Sequence, residues 1–268
     1  MVAKEFIVIG ENIHTTRVFM RSGKRIGYDE DGLESVLYKN SDGIDSFLCI
    51  PEDFKSTKVY QEGRVKHFMV AVSSGMSESS KYQSQGKDYI ASEIRRQENV
   101  GSDFLDLNID EISPNIEIQK AAMTWLVSFY STIAKKPPSI DSSSPDIIKV
   151  GLEEYARTGS LQGAPMINSA SLERVEVLDI AEYYNANVVV TSAGDAAMPS
   201  TALERIENAA RMIKFCKERK ITYQRIYVDP LVFPISVDQS YGNDYLEAVK
   251  GIRKEFGEDI YITGGLSN

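Results

Sequence analysis

Phe104-Leu-Asp-Leu-Asn108 is a short apolar run that ends in a polar residue and is followed by a helical pattern. The same unit recurs along the chain, with further runs at residues 6–10, 138–141, 164–168, 188–191, 225–229 and 260–263. Runs this short and this apolar are typical of parallel strands that are buried on both faces of a sheet. The sequence therefore predicts seven such strands.

The stretches between these runs have apolar residues at helical spacing, as Trp125, Leu126 and Phe129 illustrate. The predicted helices cover residues 117–135, 171–184, 200–219 and 244–256, and Ser200 is the expected N-cap of the third. Strands that alternate with helices form βαβ units, with a parallel sheet and right-handed crossovers. The predicted fold class is therefore α/β.

Nearly every predicted strand ends in Asp, Asn or Thr followed by a loop. In a (β/α)8 TIM barrel the carboxyl ends of the strands meet at one mouth, where catalytic groups lie. A doubly wound open sheet also binds ligands at its strand ends, but it usually carries a Gly-rich phosphate loop, and this sequence has none. One such residue, for example Asp106, could merely cap the next helix. Their number favours a shared site in a barrel.

Residues 18–76 separate the first strand from the first helix of the expected barrel and are predicted to be a small β-rich insertion. Short strands are expected at 17–20, 34–38 and 46–50, with the turn signal Asn40-Ser-Asp-Gly43 between the last two, and a helix at 60–76. Asn268 closes the seventh strand, so the last strand–helix unit is missing. We expect one barrel domain over residues 1–268, incomplete at its C-terminus because the natural protein continues. A barrel left open, or completed by another chain, is the alternative.

Composition excludes several classes of function. The 268 residues include 30 Lys and Arg against 39 Asp and Glu, and the net charge of −9 argues against a nucleic-acid partner. Two cysteines, Cys49 and Cys216, are too few for a disulfide framework or a thiolate zinc site, and the two histidines exclude a His-rich metal centre. No apolar run approaches the roughly 20 residues of a membrane span, and the N-terminus lacks the apolar region of a signal peptide. We expect a cytoplasmic protein with no metal of its own and no membrane partner.

Six motifs carry a family resemblance, and in chain order they are Gly10-Glu11-Asn12-Ile13, Leu105-Asp106-Leu107-Asn108, Asp141-Ser142, Met166-Ile167-Asn168-Ser169, Asp229-Pro230-Leu231 and Gly265-Leu266-Ser267-Asn268. In this order they resemble the pterin-binding TIM-barrel family, most of all the methyltetrahydrofolate:corrinoid methyltransferases. The stretch Asp106-Leu-Asn-Ile-Asp-Glu111 is also similar to the folate module of cobalamin-dependent methionine synthases. The resemblance covers residues 5–14 and 101–268 and leaves the insertion outside it.

The resemblance implies that Asp141, Asn168 and Asp229 hydrogen-bond the pterin ring of tetrahydrofolate or 5-methyltetrahydrofolate. A carboxylate suits this task, because it can accept from the 2-amino group and the neighbouring ring N–H in bidentate fashion. Asn268 matches the family's Asn that approaches N5, the atom that carries the transferred methyl group. A hydrogen bond to N5 that strengthens as the C–N bond breaks lowers the barrier selectively. Asn268 and Asp141 are therefore the expected catalytic residues, with Asp141 supporting the proton supply that an amide cannot provide.

Glu11, Asp106 and Asn108 are further candidates to line the pterin pocket. The alternative is barrel packing and loop hydrogen bonding for Glu11, capping of the next helix for Asp106, and a place at the mouth without ligand contact for Asn108. His14 could carry a proton, because the ordinary pKa of histidine lies near neutrality, but a lone histidine is more often structural. Arg17 could meet the glutamate tail of folate, although a solvated surface position is the more common one for such an arginine.

The expected reaction is methyl transfer between N5 of the folate and the cobalt of cobalamin or another corrinoid, in either direction. The corrinoid is expected to arrive on a partner protein that docks over the pterin. The insertion is expected to cover or orient that partner, with a plain decoration or a dimer contact as alternatives. Barrels of the resembled family usually pair, so a homodimer is expected.

Dihydropteroate synthase, which shares the pterin-binding barrel, is the nearest enzymatic alternative. That family has a different first loop and a basic motif on its seventh strand that suits a pyrophosphate leaving group. This chain has Glu11-Asn-Ile-His14 and Gly265-Leu-Ser-Asn268 at those places. A non-catalytic folate-binding subunit is a further alternative, but pterin binding alone does not require Asn268.

Overall fold

The computed structural model describes residues 6–265, and the chain divides into two compact units. The first unit comprises the chain up to Ser142 together with Asp146–Gly163, and the second comprises Ser143–Pro145 and the chain from Ala164 onward. Among residues 6–265, no helix combines the length and the hydropathy that crossing a membrane requires.

The first unit opens with strand β1 (Ile9–His14) and continues into the inserted segment. The elements of that segment are β2 (Val18–Met20), β3 (Ile26–Tyr28), β4 (Glu34–Lys39), β5 (Asp45–Cys49), α1 (Glu52–Lys55), α2 (Lys58–Gln61) and β6 (Arg64–Lys66). Strand β2 pairs antiparallel with β6, while β3, β4 and β5 form an antiparallel sheet of their own. The β-rich insertion predicted after the first strand is therefore present.

The turn predicted at residues 40–43 joins β4 to β5. The side chain of Asn40 accepts hydrogen bonds from the backbone N–H groups of Asp42 and Ile44, each at 3.0 Å, which is the geometry of an Asx turn. The helix predicted at 60–76 is wrong in its first half. Gly63 has a φ of +80°, a left-handed conformation that glycine adopts without strain, and it separates α2 from β6. Helical structure resumes only at His67.

The rest of the first unit consists of α3 (His67–Gly75), α4 (Ser80–Asn99), β7 (Phe104–Asn108), α5 (Ile116–Ile133), β8 (Pro138–Asp141) and α6 (Pro145–Arg157). Strands β1, β7 and β8 pair in parallel in that order. Helices α3 and α4 pack closely at Gly86 and Gly75. A Cβ atom on Gly86 would lie only 2.4 Å from the backbone nitrogen of Gly75, so the absence of a side chain there permits the close packing. Buried apolar side chains such as Ile94, Leu105 and Leu126 form the core of this unit.

The second unit consists of β9 (Met166–Ala170), α7 (Val177–Tyr183), β10 (Asn187–Thr191), α8 (Ala202–Glu218), β11 (Ile226–Asp229), α9 (Ser240–Phe256) and β12 (Tyr261–Ile262). Its strands pair in parallel in chain order. Helix α8 is capped by Thr201 and not by the predicted Ser200, because the Thr201 hydroxyl accepts from the N–H of Glu204 at 3.2 Å. Ser200 instead donates its backbone N–H and its hydroxyl to the Glu204 carboxylate.

All seven predicted strands are present, three in the first unit and four in the second. Strand β1 lies further along the chain than the predicted 6–10, because its pairing with β7 runs from Ile9 opposite Phe104 to His14 opposite Asn108. The register shifts between Gly10 and Ile13. Glu11 therefore lies in a bulge inside β1, whereas the sequence placed it at the strand's end.

Candidate functional site

Three polar residues lie side by side at the carboxyl ends of β1, β7 and β8. His14 is paired with Asn108 across the first two strands, and Asn108 is paired with Asp141 across the next two. Paired residues of parallel strands point to the same face of the sheet. Asp141 Oδ2 accepts a hydrogen bond from Asn108 Nδ2 at 3.0 Å and lies 3.2 Å from His14 Nε2. We call these three residues the carboxylate cluster.

The orientation of the His14 ring is fixed from its other side. The backbone N–H of Thr16 donates to Nδ1 at 3.2 Å, and the Thr16 hydroxyl lies 2.6 Å from the same atom. A backbone N–H can only donate, so Nδ1 of a neutral His14 is the unprotonated nitrogen and Nε2 carries the proton. Nε2–H therefore faces the Asp141 carboxylate, and the ring has one defined orientation in the cluster.

One oxygen of the Asp141 carboxylate is left for a ligand. The hydrogen bond from Asn108 and the contact with His14 both involve Oδ2, and within residues 6–265 the Oδ1 atom has no hydrogen-bond partner. The side chains of His14 and Asp141 are 20% and 21% exposed, so both can be reached from solvent. A fixed carboxylate with one open oxygen is suited to accept an N–H donor from a bound molecule.

The neighbours of the carboxylate cluster are polar as well. Asp106 is two residues before Asn108 on the same face of β7 and is only 2% exposed. Ser142 donates its hydroxyl to the Asp110 carboxylate at 2.5 Å. Glu11 lies 3.5 Å from the Arg17 guanidinium, and Arg17 also donates to the Glu11 carbonyl. Arg17, which the sequence offered as a contact for a folate tail, is thus already held by Glu11.

The second unit contains the other two predicted pterin contacts. Asn168 of β9 is paired with Val189 of β10, and Asp229 of β11 is paired with Thr191 of β10. Val189 and Thr191 are two residues apart in one strand, so Asn168 and Asp229 lie on the same face of this unit's sheet. Each of the two side chains is partly exposed.

The Asp229 side chain is held by the loop that follows it. Its Oδ1 accepts a hydrogen bond from the backbone N–H of Leu231 at 2.8 Å, and Leu231 has a φ of +67°. This is the local pattern by which an aspartate closes a turn on its own backbone. The turn fixes the carboxylate at the end of β11.

Arg205 contacts that loop through Pro230 and Phe233. The residue is fully buried in α8, its Nε donates to the Pro230 carbonyl at 3.0 Å, and its guanidinium lies 4.9 Å from the centre of the Phe233 ring. Neither Nη atom has a hydrogen-bond partner within the described part of the chain. Burial lowers the pKa of Arg205, and the charges of Asp244 and Glu204 oppose that shift.

The structure brings together part of the set predicted from the sequence. Asn108 and Asp141 are in direct contact, Asp106 lies on the same face, and Glu11 is turned to Arg17. Asn268, the expected contact to N5, lies outside the described residues. The sequence did not indicate the contact between His14 and Asp141, and it gave no reason to single out Arg205. The signal for His14 was its place opposite Asn108 at the end of a neighbouring strand.

In the stretch from residue 6 to 265, no three His, Cys, Asp or Glu side chains are grouped so that they could hold a metal ion.

Comparison with known proteins gives a family and a relative. The model of a family described as "Pterin binding enzyme" matches residues 73–268. A protein of Eubacterium limosum named methylcorrinoid:tetrahydrofolate methyltransferase is 27% identical over 178 residues. That match covers 64% of this chain, and the chain spans 62% of the length of that relative.

Solved structures with a similar fold include dihydropteroate synthases. The enzyme of Xanthomonas albilineans in complex with indole-2-carboxylic acid and 6-chloroguanine has a TM-score of 0.54 and 16% identity, over 70% of this chain and 68% of that one. The enzyme of Vibrio fischeri ES114 has a TM-score of 0.53 and 15% identity, over 68% of this chain and 66% of that one. Likeness at this level of identity concerns the fold alone, and it confirms the α/β barrel class predicted from the sequence.

Proposed function

Because the chain belongs to the pterin-binding enzyme family, we propose that it transfers a methyl group between N5 of 5-methyltetrahydrofolate and the cobalt of a corrinoid. The name of the Eubacterium limosum relative supports this reaction class, and the motifs of the sequence point the same way. The proposal covers both directions of transfer. The corrinoid is a second substrate, delivered by a partner protein.

The carboxylate cluster is the observation that carries the proposal. Asp141 is held by Asn108 and His14 through one oxygen, and its Oδ1 is available to accept an N–H of the pterin edge. A carboxylate that is already fixed loses little conformational freedom when the ligand binds. Asn168 and Asp229 are proposed to make the remaining pterin contacts that the family resemblance assigns, and Glu11, Asp106 and Asn108 are proposed to line or support the pocket.

The transfer is a displacement at the methyl carbon. The electron pair of cobalt(I) forms the new Co–C bond, the C–N bond breaks, and its electron pair stays on N5, which takes up a proton. A hydrogen bond to N5 that forms fully only in the transition state accelerates this step. Asn268 is proposed to supply that bond, and His14 with Asp141 is proposed to hold the proton that N5 receives.

An anaerobic assay with 5-methyltetrahydrofolate and cob(I)alamin, followed by the absorbance of the cobalt, tests the reaction. We expect methyl transfer by this chain and a loss of at least about 10²-fold in the Asn268→Ala variant, the size of effect that removal of one transition-state hydrogen bond has elsewhere. We also expect a loss in Asp141→Asn. Asp259→Asn is the matched control, because Asp259 is exposed and lies before the amino end of β12.

Two results would contradict the proposal. Tight binding of tetrahydrofolate without transfer in either direction points to a folate-binding subunit. Condensation of a dihydropterin pyrophosphate with 4-aminobenzoate, in place of methyl transfer, points to dihydropteroate synthase chemistry.

A further inference from the structure

A cavity of about 840 Å³ lies in the first unit, away from the carboxylate cluster. It is lined by Lys24 and Arg25 just before β3, by β4 and β5 with the turn between them, by helix α4, and by the end of α5 with the residues after it. Its volume is within the range of roughly 300–1,000 Å³ that is usual for small-molecule sites. None of the residues that the sequence assigned to pterin binding lines it.

Four cations at this cavity have no carboxylate partner. Lys24, Arg25, Arg95 and Lys135 line its wall, and among the described residues none of the four makes an ion pair. All four side chains belong to exposed residues. In a chain with a net charge of −9, this is a local concentration of positive charge.

Two of the three acidic residues of the same cavity are paired with cations. Asp45 is paired with Lys39 at 2.7 Å, and Glu93 accepts from Arg96 Nε through both of its oxygens, at 2.9 and 3.1 Å. Glu98 accepts the backbone N–H of Lys135 at 2.6 Å. With Lys39 and Arg96, the lining carries six cations against three carboxylates, and a concave wall with this excess of three positive charges attracts counter-ions.

The cavity also has an apolar part. Phe47 of β5 is partly exposed and lines it, and the buried rings of Tyr38 and Tyr89, which also line it, pack edge to face with their centroids 4.8 Å apart. The hydroxyls of these tyrosines are engaged with Asp88 and His67, at 2.7 and 2.8 Å. The rings therefore form a fixed wall, and Phe47 presents a flat surface on which a planar group can stack.

We propose that this cavity binds an organic polyphosphate of nucleotide size. Two guanidinium groups offer planar forks that match phosphate oxygens, and two ammonium groups add compact charges. A phosphoryl group presents several acceptor oxygens and more than one negative charge, so a short polyphosphate balances this excess of positive charge where a single carboxylate does not. The planar part of the ligand lies on Phe47. This site is separate from the methyl-transfer proposal and stands or falls independently of it.

Isothermal titration of the whole chain with ATP and with inorganic tripolyphosphate tests the proposal. We expect saturable binding of both, tighter for ATP, and a loss of at least about tenfold in affinity in the Arg95→Ala/Lys135→Ala double variant. The matched control is Lys214→Ala/Lys254→Ala, which removes the same charge at exposed lysines that do not line the cavity. Because all four side chains are exposed, the variants are expected to fold, and circular dichroism checks this.

Two results overturn the assignment. Absence of saturable binding, or equal affinity in the cavity and control variants, removes the site. Binding of a tri-γ-glutamate peptide as tightly as ATP contradicts the phosphate chemistry, because the peptide carries carboxylates only. A Phe47→Ala variant that leaves the ATP affinity equal to that of tripolyphosphate supports the stacking, whereas an unchanged preference for ATP contradicts it.

Discussion

Nε2 of His14 lies 3.2 Å from Oδ2 of Asp141, the same oxygen that accepts the hydrogen bond of Asn108. Three strand ends thus hold one carboxylate oxygen and leave the other open. Under the proposed function the two oxygens would have separate tasks: Oδ1 would accept from the ligand, and Oδ2 would keep the contact with His14, the group proposed to hold the proton.

Replacing His14 tests this separation. In His14→Gln we expect the single-turnover rate of methyl transfer to fall about 10²-fold or more, because an amide cannot exchange a proton at neutral pH. The dissociation constant for tetrahydrofolate should change little. Thr16→Val is the matched control, because it keeps the backbone N–H that orients Nδ1. A large rise in the dissociation constant with an unchanged rate would assign His14 a positioning role alone.

The charge of Asp229 can be tested without disturbing its turn. Asp229→Asn keeps an oxygen that can accept the N–H of Leu231, so the loop should persist. We expect about fivefold weaker binding of tetrahydrofolate, since a hydrogen bond to a charged acceptor exceeds a neutral one by about 1 kcal/mol. Asp238→Asn is a matched control, because Asp238 Oδ1 accepts the N–H of Ser240 in the same way at 2.8 Å. Equal weakening in both variants contradicts a specific contact.

Arg205 should tolerate an apolar replacement better than a conservative one. Arg205→Met removes a buried charge whose Nη atoms have no partner in the described structure, at the cost of the bond to Pro230. Arg205→Lys keeps the charge but loses the planar guanidinium over Phe233. We expect the Met variant to be more stable than the Lys variant by about 1–3 kcal/mol in urea unfolding. The opposite order would mean that the buried charge itself stabilises the fold.

Because His67 is buried, we expect the free energy of unfolding to depend on pH. Burial, with smaller effects from Arg25, Arg17 and Arg96, lowers the pKa of His67 from 6.5 to about 3. Below pH 6.5 the unfolded chain takes up a proton at His67 that the folded chain does not, so protonation favours the unfolded state. The free energy of unfolding is therefore unaffected by His67 above pH 6.5 and decreases as the pH falls toward 3. The slope is at most about 1.4 kcal/mol per pH unit.

Urea unfolding between pH 4 and 7 measures that slope. His67→Phe keeps the ring stacked on Phe19, where the centroids are 3.9 Å apart, and removes the titration. We expect a lower stability at pH 7, because Tyr89 loses its hydrogen-bond partner, and a shallower dependence on pH. An equally steep dependence in the variant would show that His67 is protonated in the folded state over this range.

Helices α3 and α4 should not tolerate a methyl group between them. In Gly86→Ala the new Cβ meets backbone atoms of Gly75 and Ala71, at 2.4 and 2.5 Å, so we expect a loss of about 1–3 kcal/mol or more. Gly242→Ala, also in a helix, meets only a side-chain atom of Ile235 at 3.4 Å and should gain up to about 1 kcal/mol from helix propensity. Thermal unfolding of the two variants compares them directly.

Strand positions were predictable where the sequence carries both an apolar run and a polar end. Phe104–Asn108 and Pro138–Asp141 have the predicted bounds for that reason. The insertion was harder, because short amphipathic strands such as Ile26–Tyr28 give no distinct period. Gly63 was the visible signal against the helix predicted through it, and its left-handed φ decides the local structure.

The candidate site was predictable as a set of residue types and not as a set of contacts. Asn108 and Asp141 stand at the ends of clear strands, so their proximity follows from parallel pairing. The approach of His14 depends on the bulge at Glu11, which shifts the register of β1 by an amount that the sequence does not reveal. Arg205 looks like an ordinary helix residue until the fold buries it.

The pairing of β2 with β6 has a consequence for how the inserted segment is inherited. Met20 stands opposite Arg64, and the N–H of Arg21 donates to the carbonyl of Gly63 at 2.8 Å. The two ends of the segment 21–63 are therefore adjacent in space. A segment whose ends are adjacent can be present or absent without moving the chain on either side of it. A two-residue turn can close the same gap, so homologues can gain or lose the segment in a single event without rerouting the chain.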